Sequence, residues 1–446
     1  MLIRFVVSNF LSFNEEREFT MLSGSFKTHK HHVYNAGKVD VLKAAAIYGA
    51  NGAGKSNLVK AIDFLQELVK EGYVLKSVDS KKFKLNTINS KLPINLEIEF
   101  SINKKIYSYG ISIEHTSIVK EWLYESGVTT DDKLIFERSL SKYGKPVIKM
   151  SEKYVKSQKS KLLIELLEDN LLKNNELLLN KVENLKIDDI TKVRKWIVNN
   201  LVVIYPHSKF AGLIQMLTTS ERFKSFANQL LLTFDTGINQ LATEVVDLDK
   251  FLGDEDESFK KELIEDITKG SNILFHSETG AVMLMKEGEK FVAKKVITFH
   301  HNDLGDNIHF ELDEESDGTQ RLLDFIPAFD VILNHDMTVI VDEIDHSLHP
   351  VLLKALVSKI MNDNTTQGQL IFTTHESNLL DLSIFRQDEI WFAEKDKKTR
   401  GTQLYSLSEY KPRYDLDIRK GYLKGRFRAI PFLAHLEDLK WQSYDA

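Results

Sequence analysis

Gly49-Ala50-Asn51-Gly52-Ala53-Gly54-Lys55-Ser56 decides how this chain is read. The stretch fits G-x-x-x-x-G-K-[ST], a loop that wraps phosphate. An apolar run from Leu42 to Tyr48 leads in as a strand, and Asn57 to Leu65 leads out as a helix. Gly49, Gly52 and Gly54, with Asn51 and Ala53 between them, let backbone N–H groups close around phosphate oxygens. The positive end of the helix dipole adds to the attraction. Lys55 is placed to reach the β- and γ-phosphates, Ser56 to ligate Mg²⁺, and Asn57 opens the helix beside them. A chance glycine-rich turn is the competing reading. Strand, loop, Lys-Ser and helix in that order argue against it.

A second site lies far downstream. Met337-Thr338-Val339-Ile340-Val341 is short, β-branched and uncharged, and it ends in Asp342-Glu343. Such a run suits a strand buried on both faces of a parallel sheet. Asp342 is then positioned to hold the Mg²⁺ shell and Glu343 to polarise an attacking water. An acidic pair after a strand is more often a helix start, so context has to decide. Leu370 to Thr374 supplies another buried strand, ending at His375, where an imidazole can contact a γ-phosphate.

Ser316-Asp317-Gly318-Thr319 precedes an apolar helical run from Leu322 to Phe329. Ser316-x-Gly318 combines a hydroxyl, a backbone N–H and a helix dipole, which suits an anion. An ordinary N-cap is the plainer reading of Ser316.

Together these motifs resemble the ABC-type ATPases related to SMC, RecF and OLD proteins. The opening Met1 to Phe13, Phe372 to Asp381, Asp388 to Phe392 and Gly421 to Phe432 carry the likeness closer, to the RloA/AbiLi-like AAA-family ATPases of bacterial anti-phage systems. The resemblance covers roughly residues 1–130 and 300–435. It implies a P-loop ABC-type head of the α/β class, with a mixed sheet, flanking helices and an antiparallel β layer. It implies MgATP as the nucleotide, with Lys55, Glu343 and His375 catalytic. It makes Ser316 and Gly318 a signature loop that serves the site of a second subunit, in a head-to-tail ATP-sandwich dimer or higher homo-oligomer. It implies a defence role, with a separately encoded effector such as a nuclease and a nucleic acid or phage protein as trigger. The alternative is a DNA-repair ATPase of the RecF/SMC kind that clamps DNA. Two departures stand out: Glu315 and Asp317 flank Ser316 where transporters have Leu-Ser-Gly-Gly-Gln, and no Q-loop glutamine is evident.

Composition agrees. The 446 residues are 42% hydrophobic and 28% charged, enough for a large core and more than one structural unit. The absence of cysteine excludes disulfides and thiolate metal sites. No apolar run approaches a membrane span, and the first residues do not form a signal peptide, so a cytoplasmic location is expected. A net charge of −6 argues against general nucleic-acid affinity. Two basic stretches remain. Lys153 to Lys161 reads as a solvated face. Arg419 to Arg428, interleaved with Tyr422 and Phe427, reads as a subunit interface in preference to a nucleic-acid contact.

The expected organisation has three parts. Residues 1–150 form the N-terminal lobe, and residues 96–113 within it form a hairpin about Asn103-Lys104-Lys105. Residues 151–270 form a mostly helical insertion, with leucines at three- and four-residue steps from Leu163 to Leu185 and an acidic loop at 254–257. Residues 271–446 form the C-terminal lobe and tail. His300, His301 and His309 are expected to be ordinary strand histidines, with no carboxylates converging on them.

Overall fold

The computed structural model describes residues 1–128, 130–182, 187–208, 212–246, 257–268, 273–277, 280–288, 290–413 and 416–430. Leu185, acidic residues 254–256 and the tail beyond Ile430 lie outside the described residues. The chain forms two compact units. The first takes Met1–Pro206, Asn334–Ile344 and Val357–Ala446; the second takes His207–Leu333 and Asp345–Leu356.

The first unit holds two sheets. One is built from Leu201–Ile204, Thr338–Val341, Gln369–Thr374, Ala44–Tyr48 and Ile390–Lys395, in that order and all parallel. Thr402–Ser406 closes one edge antiparallel. Every residue of the three central strands is buried, which is why they read as unbroken apolar runs. Ile371 pairs Ala45 on one side and Ile340 on the other, so the expected neighbours are neighbours. The fold is of the expected α/β class, with a mixed sheet and flanking helices.

The other sheet is an antiparallel meander of seven strands from Leu2–Ser8 to Pro146–Met150. Its hairpin pairs Ile94–Ile102 with Lys105–Glu114 across Asn103 and Lys104, both at positive φ, as a two-residue hairpin loop requires. An apolar core lies between the two sheets, with Phe100 and Trp196 rings stacked 4.0 Å apart. Gln369 ties the layers together. It is fully buried, and its amide donates to Leu2 O and Leu42 O and accepts from the Thr338 hydroxyl.

The expected boundaries at 150 and 270 need correction. Residues 158–204 belong with the first unit, not with a separate insertion. Leu167, Leu178 and Val182 enter its core, and the helix Asp188–Asn199 presents Trp196 to it. The leucine pattern is also not one helix: Gln158–Leu166 passes into a π-helical turn at Leu167–Leu171, and the next helical turn is Leu178–Lys181. Up to Thr268 the described residues beyond Pro206 are mostly helical, as expected, and strands follow from Ile273. The second unit carries an antiparallel sheet centred on Lys290–His301, beside helices that include Glu221–Thr233 with Ser220 as its N-cap.

The basic stretch near the C-terminus is also revised. Tyr422 and Phe427 are buried and stack on Phe392 of the first unit's own sheet, so they are not available to a partner. The basic side chains around them, Arg419, Lys420, Lys424, Arg426 and Arg428, are exposed.

Candidate nucleotide site

The site lies along the carboxyl ends of the parallel strands, where α/β sheets bind ligands. Tyr48 leads into the phosphate loop, Val341 into Asp342, and Thr374 into His375. Because Thr374 pairs with Tyr48, His375 leaves the sheet beside Gly49.

The phosphate loop ends at Gly54, which caps the helix Lys55–Glu71 with φ 109°. Only glycine takes that conformation freely. A Cβ there would also stand 2.0 Å from Thr402 Oγ1. The Thr402 hydroxyl donates to Ala53 O at 2.8 Å and lies 2.7 Å from Ser12 Oγ, which accepts from Asn57 Nδ2 at 2.8 Å. Asn57 is therefore engaged in bracing the loop. Asn51 and Gly52 form the exposed tip. Asn57 N–H donates back to Gly54 O at 3.1 Å, and the first N–H groups of a helix point along its axis toward whatever the loop encloses.

Lys55 is 5% exposed. Its ammonium donates to Gly49 O at 2.8 Å and lies 2.9 Å from His375 Nε2. His375 is exposed and Ser56 half-buried. Asp342 is buried, and its Oδ1 accepts from the Thr373 hydroxyl at 2.6 Å. The same hydroxyl oxygen accepts the Glu343 N–H at 2.8 Å. Glu343 sits at φ 52°, a conformation uncommon for a residue with a side chain, and it turns the chain sharply after the strand.

Asp342 adds to a negative neighbourhood. Burial and the hydrogen bond to Asp63 push the Tyr205 phenol up, and the charges of Asp342 and Glu67 add to the effect. Ser56 hydroxyl and Asp342 carboxylate are hard oxygen donors. That set suits Mg²⁺ better than a softer metal.

Ser316 and Gly318 lie in the second unit. Ser316 Oγ accepts from Thr319 N at 3.2 Å, so it caps the helix Asp317–Asn334, as the plainer reading had it. Ser316 remains exposed. Gly318 abuts Ser347 of the same unit: a Cβ would come within 2.9 Å of Ser347 O. Glu315, which replaces a signature residue of transporters, accepts from the His300 ring at 2.7 Å.

Sequence reasoning missed Thr373, Ser12 and Thr402. Thr373 leaves a trace: it is a hydroxyl inside a strand otherwise apolar up to Phe372. Ser12 and Thr402 leave none, being single hydroxyls brought in from remote loops. His309 needs a correction too, since it stands with Glu244 and Glu311. Lys295 bridges those two carboxylates, reaching Glu244 at 3.2 Å, which makes the group an ion-pair cluster.

A family described as "AAA domain, putative AbiEii toxin, Type IV TA system" matches residues 44–381. The chain belongs to this AAA family. The matched span covers the phosphate loop, Ser316, Asp342, Glu343 and His375. Among solved structures, the chain is similar to the SMC head domain from Thermotoga maritima, at 11% identity over 91% of this chain and 98% of the other, with a TM-score of 0.40. It is also similar to an SMC head bound to the C-winged helix domain of ScpA, at 13% identity over 92% and 99%, TM-score 0.46. A third, from Pyrococcus furiosus, is an SMC head with an extended coiled coil bound to the C-terminal domain of ScpA, at 13% identity over 95% and 99%, TM-score 0.40. No curated protein matches. None of the described helices is long and apolar enough to cross a membrane.

Proposed function

We propose that this chain is an ATP-binding and ATP-hydrolysing switch of an anti-phage defence system, akin to the RloA/AbiLi-like ATPases. The observation that carries the chemistry is the grouping of Lys55, Asp342, Glu343 and His375 at the carboxyl ends of neighbouring strands of one sheet. The family description, with its AbiEii toxin and Type IV toxin–antitoxin system, supports the biological setting.

In this reading the loop amides and Lys55 hold the β- and γ-phosphates. Ser56 and Asp342 hold Mg²⁺, which neutralises charge on the transferring phosphoryl group. Glu343 orients and deprotonates water, and His375 contacts the γ-phosphate. Ser316 and Gly318 complete the site of a second copy, so that ATP joins two cytoplasmic chains head to tail. Hydrolysis removes the contact that holds them, which is what a nucleotide switch requires. The dimer in turn governs a separately encoded effector such as a nuclease.

The test uses purified chain, wild-type and Lys55→Ala, with radiolabelled ATP and a phage challenge of cells carrying the surrounding genes. Lys55→Ala is expected to lose ATP binding and protection together. Protection that survives loss of ATP binding overturns the switch. A gel shift that appears only with a non-hydrolysable ATP analogue, in cells that gain no protection, supports the DNA-clamp alternative instead.

A further inference from the structure

Near the amino end of the strand Ala44–Tyr48, opposite the phosphate loop, three histidines come together. His29, His31 and His32 each offer a ring nitrogen, and these atoms lie within 4.8 Å of one another. The local backbone makes this possible. His29 is at φ 46°, in the left-handed region, and precedes a 3₁₀ turn over Lys30–His32. In that turn residues three apart eclipse, so His29 and His32 stack with ring centres 4.8 Å apart. His31 packs edge-on to His32 at 4.4 Å.

Each ring has one nitrogen fixed by an acceptor. His29 Nε2 donates to Leu382 O at 3.0 Å, His31 Nε2 to Met361 O at 2.9 Å, and His32 Nδ1 meets the Glu389 carboxylate at 2.9 Å. A neutral imidazole that donates from one nitrogen presents a lone pair on the other. Metal-binding histidines are held in the same way, with one nitrogen on a carbonyl or carboxylate and the other on the ion. His32 is 1% exposed, and no hydrogen bond of good geometry reaches its Nε2, although the Met361 carbonyl that His31 engages also acts on its ring. Leaving a buried polar atom unpaired is costly, and a ligand resolves it. Arg386 fixes the loop before the turn, donating to Gly24 O at 3.0 Å and Thr28 O at 3.2 Å. His29 and His31 are only half-buried, so an ion has a route in.

We propose that His29, His31 and His32 bind one divalent transition metal ion of the zinc class, with water as fourth ligand and Glu389 as the outer partner of His32. Three neutral imidazoles favour zinc, cobalt or nickel over magnesium or calcium. The site is separate from the phosphate loop. His32 O accepts from Lys43 N, at the amino end of the strand Ala44–Tyr48, whereas Gly49 leaves its carboxyl end, about 17 Å away at ~3.3 Å per residue. Bound there, the ion would pin an N-terminal loop to chain near Met361, Leu382 and Glu389.

The test is a cobalt titration of metal-stripped, full-length chain, followed by zinc displacement. Wild-type protein is expected to take one Co²⁺ per chain with a tetrahedral visible spectrum, and to release it to Zn²⁺. His31→Gln and His29→Asn are chosen because both positions are half-buried and asparagine tolerates a left-handed backbone. Each is expected to weaken binding by at least ~10–100-fold, the scale set by loss of an outer partner alone. Zn²⁺ is expected to raise the melting temperature of wild type and not of the variants. His309→Ala, in the exposed ion-pair cluster, is expected to bind as wild type. Absence of stoichiometric binding in wild type, or equal affinity in His31→Gln and His29→Asn, overturns the proposal. Neither readout depends on ATP hydrolysis.

Discussion

Lys55 Nζ stands 2.9 Å from Nε2 of His375. A protonated ammonium can only donate, so His375 presents a lone pair here and carries its hydrogen on Nδ1. The bond joins the helix after one strand to the end of its neighbour, across the space a γ-phosphate would enter. A phosphate drawn in by Lys55 competes for the same proton donor and frees His375 to meet a phosphate oxygen. His375→Ala is therefore expected to keep ATP affinity within a few-fold and to lower turnover by ~10²-fold, the scale of one lost transition-state contact. Equilibrium binding and phosphate release measured on one preparation separate the two. Unchanged turnover would remove His375 from the mechanism.

Glu343→Gln preserves shape and removes basicity. Turnover is expected to fall by about 10²–10⁴-fold while MgATP stays bound. Size-exclusion of the variant with ATP should then reveal a longer-lived dimer. A variant that hydrolyses at the wild-type rate would mean another group activates water.

Thr373 holds Asp342 and the Glu343 backbone with a single hydroxyl. Thr373→Val fills the same volume but leaves a buried carboxylate oxygen short of a donor. The expected cost is about 1–3 kcal/mol of stability, with a raised Mg²⁺ requirement. Chemical denaturation and a Mg²⁺ titration of the ATPase are the readouts, and a neutral result in both would contradict the bridge.

A shared active site is best probed at Ser316. Gly318 is the less suitable choice, because any side chain there meets Ser347 O of its own chain. Ser316→Asp keeps the N-cap, since aspartate caps as well as serine, but turns a hydroxyl into a charge that repels phosphate. The variant is expected to fold as wild type and to lack ATPase activity. Mixed with Lys55→Ala chains it should recover part of that activity, since one of the two sites in a mixed dimer is then intact. Full activity of Ser316→Asp alone would show that each chain completes its own site.

Asp189 sets an acid limit on the first unit. Burial raises its pKa, but hydrogen bonds from Tyr154, Tyr107 and Lys153 outweigh it and hold the carboxyl at about 2. A pKa depressed on folding stabilises the protein above the unfolded value near 4. That contribution is lost as pH falls toward about 2. The stability gap between wild type and Asp189→Asn should be widest near neutrality and close over that interval. A gap independent of pH would assign the loss to packing.

Much of the head was legible because its strands are buried on both faces and its loops carry chemistry. The run into Gly49, the run into Asp342 and the run into His375 each combine an uninterrupted apolar strand with a reactive residue at its end. The hairpin at Asn103-Lys104 was legible from alternation about a turn. Leu201–Ile204 was not. Four apolar residues after a helix look like its last turn, and only pairing with Thr338–Val341, far along the chain, makes them a strand. The place of residues 158–199 in the first unit is hidden for the same reason: the helices are legible, but their packing through Leu167, Leu178 and Trp196 is a long-range contact. Thr402, Ser12 and the three histidines act through contacts that no local pattern encodes.

The order of the parallel strands also sets the timing of folding on the ribosome. Ala44–Tyr48 is made early, but its two neighbours begin at Gln369 and Ile390. At ~5–20 residues per second the strand waits tens of seconds for either partner. A waiting strand of valine and isoleucine would be an aggregation hazard. This one is Ala-Ala-Ala-Ile-Tyr, and its three alanines are weak strand formers. Replacing those alanines with valine strengthens the strand itself and makes capture by a neighbouring nascent chain easier within the same interval, so yield in the cell should fall even where the finished sheet gains.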